Sequence, residues 1–140
     1  MATDIQVAFD AADPHRQARF WADALRYEME NHTPVVDQLL AIGRLQPGDV
    51  VEEEGARGFR DVAACRDPDG QRPRLFFQRV PESKVVKNRV HLDLHVGAEN
   101  VDAEVERLKD LGATEAWTST DRGARCVTLR DPEGNEFDVE

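Results

Sequence analysis

The stretch Asn88-Arg-Val-His-Leu-Asp-Leu-His-Val96 decides how the chain is read. It alternates strictly, and successive side chains of a strand point to opposite faces. Val90, Leu92, Leu94 and Val96 therefore share one face, and His91, Asp93 and His95 share the other. The first face calls for a core, the second for water or a ligand. Downstream, Val101, Val105, Leu108 and Leu111 recur at helical spacing, and Gly112 suits a left-handed cap, so a helix is predicted over 99–111. Three strands follow, at 114–119, 125–130 and 136–140, with Asp131-Pro-Glu-Gly134 turning between the last two.

A weaker copy of the same order stands near the N-terminus. Residues 4–10 place Ile5, Val7 and Phe9 opposite Gln6, Ala8 and Asp10. Asp13-Pro14 caps a helix to about Arg26, with Ala18, Trp21, Ala22 and Leu25 as its apolar stripe. Tyr27 to Glu30 reads as a short returning strand, and strands are predicted over 59–65 and 74–80, around the turn Asp67-Pro-Asp-Gly70. An insertion at 33–57 separates these elements. Thr33-Pro34 predicts a second helix, and Pro47-Gly48, Glu52, Glu53, Glu54 and Gly55 predict a solvated acidic loop rather than a cation site.

The internal repeat carries the fold. Arg66-Asp-Pro-Asp-Gly70 matches Arg130-Asp-Pro-Glu-Gly134, and each half reads strand, helix, strand, strand, strand. The fold class is therefore α+β: two βαβββ modules forming a cupped mixed sheet, helices outside, in one domain of two repeats at about 1–82 and 88–140. The balance of 18 Lys+Arg against 28 Asp+Glu gives a formal charge of −10, which disfavours nucleic acid and membrane surfaces as partners. No apolar run approaches a membrane span. Cys65 and Cys126 stand singly without a CxxC spacing or a secretory signal, which reads as two buried, reduced thiols in a cytoplasmic protein.

With these features in place, the chain resembles the vicinal oxygen chelate superfamily, which includes glyoxalase I, extradiol dioxygenases and bleomycin- or fosfomycin-resistance proteins. The resemblance rests on the two modules, on Asp13-Pro14 leading to Arg19-Phe-Trp21, on His91-Leu-Asp-Leu-His-Val96 and on Asp131-Pro-Glu-Gly-Asn-Glu-Phe-Asp138. Leu75-Phe-Phe-Gln-Arg-Val-Pro-Glu82 followed by Lys87-Asn-Arg-Val-His-Leu-Asp93 is similar to the glyoxalase-like subgroup. It implies a divalent metal held at four positions, which fall here on Gln6, Gln78, His91 and Asp138. The two amides are neutral, weak donors, so His91 and Asp138 would supply most of the affinity.

The implied pocket comprises Gln6, Phe76, Gln78, His91, Asp93 and His95, with a small organic molecule as partner and a homodimer as the assembly. Two functions stay open at this stage. One is a lyase, isomerase or dioxygenase-like enzyme in which a metal polarises a carbonyl while His95 or Asp93 acts as base. The other is a ligand-sequestering protein without chemistry. His91, Asp93 and His95 could equally hydrogen-bond one another without any ligand. Asp67 and Asp131 read as turn formers.

Overall fold

The first helix starts where its sequence requires. Asp13 is extended and its carboxylate accepts the Arg16 amide at 3.1 Å, while Pro14 occupies the first turn, where a missing N–H costs nothing. In this computed structural model, which describes residues 1–140, the chain divides into two units, Met1–Pro81 and Glu82–Glu140.

The first unit runs β1 (Gln6–Ala11), α1 (Pro14–Leu25), β2 (Glu28–Met29), α2 (Thr33–Ala41), β3 (Val50–Glu53), β4 (Ala56–Phe59), β5 (Val62–Arg66) and β6 (Arg74–Arg79). Its main sheet has the order β1-β6-β5-β2, with β1 parallel to β6 and the other pairs antiparallel. The helix stripe covers one face. Trp21 of α1 meets Phe9 at 5.4 Å between ring centroids, and Phe9 stacks on Phe77 at 5.0 Å. Trp21, Phe77 and Cys65 are fully buried, so Trp21→Ala would cost about 3–5 kcal/mol through lost transfer energy and the cavity left behind. Burial also pushes the Cys65 thiol up to about 12.

The second unit repeats the topology with β7 (Asp93–Leu94), α3 (Val101–Leu111), β8 (Thr114–Ser119), β9 (Cys126–Arg130) and β10 (Glu136–Val139), in the order β7-β10-β9-β8. Val101, Val105 and Leu108 of α3 are buried, as are Leu94, Val127, Leu129, Phe137 and Val139 of the sheet. The architecture is α+β with two mixed sheets, as the repeat predicted. Asp67 and Asp131 are turn formers: the Asp67 carboxylate accepts the amides of Asp69, Gln71 and Arg72, and Asp131 accepts those of Glu133 and Asn135. No helix is long and apolar enough to cross a membrane.

Several local expectations are corrected. The acidic segment is a β-hairpin, β3 pairing with β4 from Val50↔Phe59 to Glu53↔Ala56. Glu54 and Gly55 form its two-residue turn with φ of 50° and 80°, the mirror-image geometry that matches strand twist. Glutamate is a poor choice there, so Glu54→Asn should raise stability by roughly 0.5 kcal/mol, read as a higher urea midpoint. The strand predicted over 59–65 is broken at Arg60-Asp61, because Phe59 belongs to the hairpin. Thr33 is not the cap of α2. Asn31 Oδ1 accepts the Thr33 amide, and the Thr33 hydroxyl accepts the Arg57 amide at 2.8 Å, pinning the hairpin to the helix.

The stretch 88–96 is a strand only at its centre. β10 is four residues long and offers no backbone partner to 88–91, so Val90 is 82% exposed while Leu94 is buried. Isolated bonds from Asp138 N to Leu92 O (2.9 Å), Glu140 N to Leu94 O (3.0 Å) and Val96 N to Glu140 O (2.7 Å) extend the pairing. Ile5, expected on the apolar face of the first strand, precedes β1 and is 68% exposed. Cys126 is half-buried rather than buried.

Candidate metal centre

The polar face of the second sheet gathers the chemistry. Register places Asp93 beside Asp138, Asp138 beside Thr128 and Thr128 beside Trp117, one residue from each of the four strands in a single row. His91 reaches this row from the connection just before β7. Its Nδ1 lies 2.8 Å from Asp93 Oδ1 and 3.5 Å from Asp138 Oδ2. Thr128 Oγ1 donates to Asp138 Oδ1 at 2.5 Å, which turns the other carboxylate oxygen toward His91. One ligand atom each from His91, Asp93 and Asp138 lies within 4.8 Å of the others.

Two carboxylates on adjacent strands in register repel unless a cation sits between them. The donor set of one imidazole and two carboxylates suits a divalent ion of the Mn, Fe or Zn type, so the residues fit the metal that the resemblance implies. Cys126, on the same face, reports the local field: burial, followed by Asp138, Glu140 and Asp93, pushes its thiol up to about 11. His95 is separate from the cluster, its ring 77% exposed and its Nδ1 3.0 Å from Glu140 Oε1. Thr128, Cys126 and Trp117 escaped the sequence reading. Thr128 and Cys126 could have been found by alternation within β9 once Asp138 was placed.

A buried carboxylate fixes the edge of this face. Glu136 accepts Lys84 Nζ at 3.0 Å and the Asn88 amide at 2.9 Å. Burial alone would raise its pKa, but these donors override it and hold the carboxyl at about 2, below its ordinary 4.5. A depressed carboxylate contributes stability that is present above pH 4.5 and lost as pH falls toward 2. Glu136→Gln should therefore cost about 2 kcal/mol at neutral pH and progressively less below pH 4.5, measured by urea unfolding at each pH.

The remaining candidate residues lie in the first unit, on the sheet face opposite α1. Register aligns Gln6 with Arg74, Ala8 with Phe76 and Asp10 with Gln78. The face is organised by Arg74, which the sequence reading missed. Arg74 Nη1 donates to Gln6 Oε1 at 2.6 Å, its Nε and Nη2 reach Glu30 at 2.6 and 2.7 Å, and its guanidinium covers the Phe76 ring at 5.4 Å. The amide oxygen that a metal would take from Gln6 thus already faces a cation. Gln78 Nε2 donates to Asp10 at 2.8 Å. The same unit holds a cavity of about 540 Å³ between α1, the residues after β2 and the hairpin, lined among others by His15, Met29, His32 and Val51; Gln6, Phe76 and Gln78 do not line it.

Residues 6–140 match the family model described as a glyoxalase-like domain. No curated protein matches the sequence significantly. Among solved structures, the fosfomycin resistance protein FosX from Mesorhizobium loti is similar at 13% identity, with a TM-score of 0.65 over 100% of this chain and 91% of that one. A point mutant of FosX from Listeria monocytogenes, complexed with Mn(II) and 1S,2S-dihydroxypropylphosphonic acid, is similar at 13% identity and a TM-score of 0.64, covering 100% and 90%. A glyoxalase/bleomycin resistance protein/dioxygenase family enzyme from Burkholderia phytofirmans is similar at 16% identity and a TM-score of 0.64, covering 98% and 97%. At these identities the likeness is one of fold.

Proposed function

The chain belongs to the glyoxalase-like domain family of the vicinal oxygen chelate superfamily, and from that premise we propose a metal-assisted enzyme acting on a small organic molecule, its ion held by His91, Asp93 and Asp138. The observation that carries this reading is the 4.8 Å convergence of three ligand atoms within the second unit. The Mn(II) named in the Listeria structure supports it, since the same kind of ion suits imidazole and carboxylate donors. Gln6 and Gln78 are not required for this ion.

When bound, a divalent ion supplies Lewis-acid polarisation of a substrate oxygen. The protein's own residues do the rest. Thr128 holds the Asp138 carboxylate in one orientation, and His95, outside the cluster with Nδ1 against Glu140, is the imidazole left to exchange a proton with a part of the substrate that extends past the ion. In this reading Asp93, the other candidate base, serves as a ligand. His95→Gln should then lower turnover about 100-fold or more while leaving metal content unchanged.

Elemental analysis of protein purified without chelator, and of chelator-stripped protein reloaded with Mn(II), Zn(II) or Ni(II), tests the proposal. About one ion per chain is expected. Failure of all three ions to bind at micromolar concentration would remove the metal and leave a ligand-sequestering protein. The assembly proposed is a homodimer, in which a two-fold partner covers open sheet edges. Sedimentation showing only monomer at high micromolar concentration would exclude it.

A further inference from the structure

Trp117 is 41% exposed, large and apolar, and it lies in the row that contains Thr128 and Asp138. Two cations converge on it. Lys87 Nζ lies 6.0 Å from the ring centroid and the Arg130 guanidinium 5.9 Å from it. At least half of the 18 basic side chains here are paired with carboxylates, in a chain of net charge −10: Arg19, Arg57, Arg72, Arg74, Arg79, Lys84, Arg107, Lys109 and Arg125 all are. Lys87 and Arg130 have no carboxylate within ion-pair distance, and the only polar contact of Lys87 Nζ is the Asn88 carbonyl at 3.4 Å. The nearest acid in register with Arg130 is Glu136, whose carboxylate is committed to Lys84 and the Asn88 amide. That commitment also fixes the connector, which places Lys87 beside the ring.

We propose that Lys87, Arg130 and Trp117 form a seat for an oxyanion of the organic substrate, a carboxylate or a phosphate-type group. Arg130 supplies a planar fork of donors, Lys87 a mobile charge, and Trp117 an apolar wall that excludes water from one side of the pair. Strands are spaced about 4.8 Å apart, so Trp117 stands two spacings, about 10 Å, from Asp138 across the same face. A substrate with its anionic end in the seat and a reacting oxygen at the cluster must be about that long and unbranched enough to lie across β9. The span rests on the metal reading above; the seat itself does not.

The test uses chelator-stripped, full-length protein, so that it is independent of the metal. Trp117 fluorescence is titrated with phenylacetate, with phenylphosphonate and with the neutral 2-phenylethanol, and Trp117→Phe identifies the signal that belongs to Trp21. Saturable quenching by one or both anions, absent with the alcohol and weakened by about tenfold in Lys87→Met and in Arg130→Met, is the expected result. The anion that binds more tightly identifies the group, and raising the ionic strength should weaken either. Equal binding of the alcohol, or unchanged anion affinity in Lys87→Met, would overturn the proposal. Lys87 is exposed, so its loss does not threaten folding. If that variant only loosened the connector toward protease, the two cations would be a clasp on Trp117 and not a seat. Metal uptake with no anion binding would sink the seat alone; anion binding with no metal uptake would sink the metal reading alone.

Discussion

Glu30→Ala is expected to destabilise the first unit by about 3 kcal/mol, seen as a fall in the urea midpoint at neutral pH. Its carboxylate receives Arg74 Nε and Nη2 at 2.6 and 2.7 Å, a fork-to-fork pair, and His32 Nε2 lies 3.1 Å away. The pair is partly screened, with Glu30 18% exposed and Arg74 36%, which keeps the cost at the lower end for a broken ion pair. The substitution also releases Arg74, which holds Gln6 and covers Phe76, so the polar face of the first sheet loses its organiser. The hydrogen bonds from Arg74, acting against burial, hold the Glu30 carboxyl at about 2 against an ordinary 4.5. Its stabilising contribution is therefore complete above pH 4.5 and disappears as pH falls toward 2. Wild type and Glu30→Ala should converge across that window. A constant difference down to pH 2 would show that packing, not the ion pair, carries the effect.

Much of the fold was legible because two periodicities and one repeated turn agree with one another. Asp67 and Asp131 specify their turns by local bonding, Asp13-Pro14 specifies a helix start, and Leu94, Val127, Leu129 and Val139 follow the alternation that a sheet under a helix needs. The hairpin at 50–59 was hidden because its turn, Glu54-Gly55, lacks the asparagine that usually announces the geometry. Part of the candidate site was legible for the same reason as the fold: alternation assigns His91, Asp93 and Asp138 to polar strand faces, and these three side chains converge.

Trp117 could not be read this way. Strict alternation puts it with Glu115, on the face of Leu129, but the register shifts between Glu115 and Trp117, and that bulge turns the ring to the face of Thr128 and Asp138. Arg74 was missed for a different reason. Its importance comes from Glu30, 44 residues away in sequence, and no local pattern announces that pairing.

Metal affinity should fall at least about 100-fold in His91→Ala, and about 10- to 100-fold in Thr128→Val, measured by competition with a chromophoric chelator. His91 is the single nitrogen donor of the cluster and stands between the two carboxylates, 2.8 Å from Asp93 and 3.5 Å from Asp138. Removing it leaves an acidic pair that binds hard cations weakly and without geometry. Thr128 touches no ion in this reading and is buried, and valine keeps its shape, so its effect isolates the 2.5 Å bond to Asp138 Oδ1. Without that bond the carboxylate is free to rotate, and its Oδ2 spends less time facing His91. Asp138→Asn sharpens the comparison: it keeps a hydrogen-bond acceptor for Thr128 but removes the charge, so affinity should drop as far as in His91→Ala. Undiminished uptake in both His91→Ala and Asp138→Asn would place any bound ion elsewhere, and would reduce His91 to a bridge between two carboxylates of the second sheet.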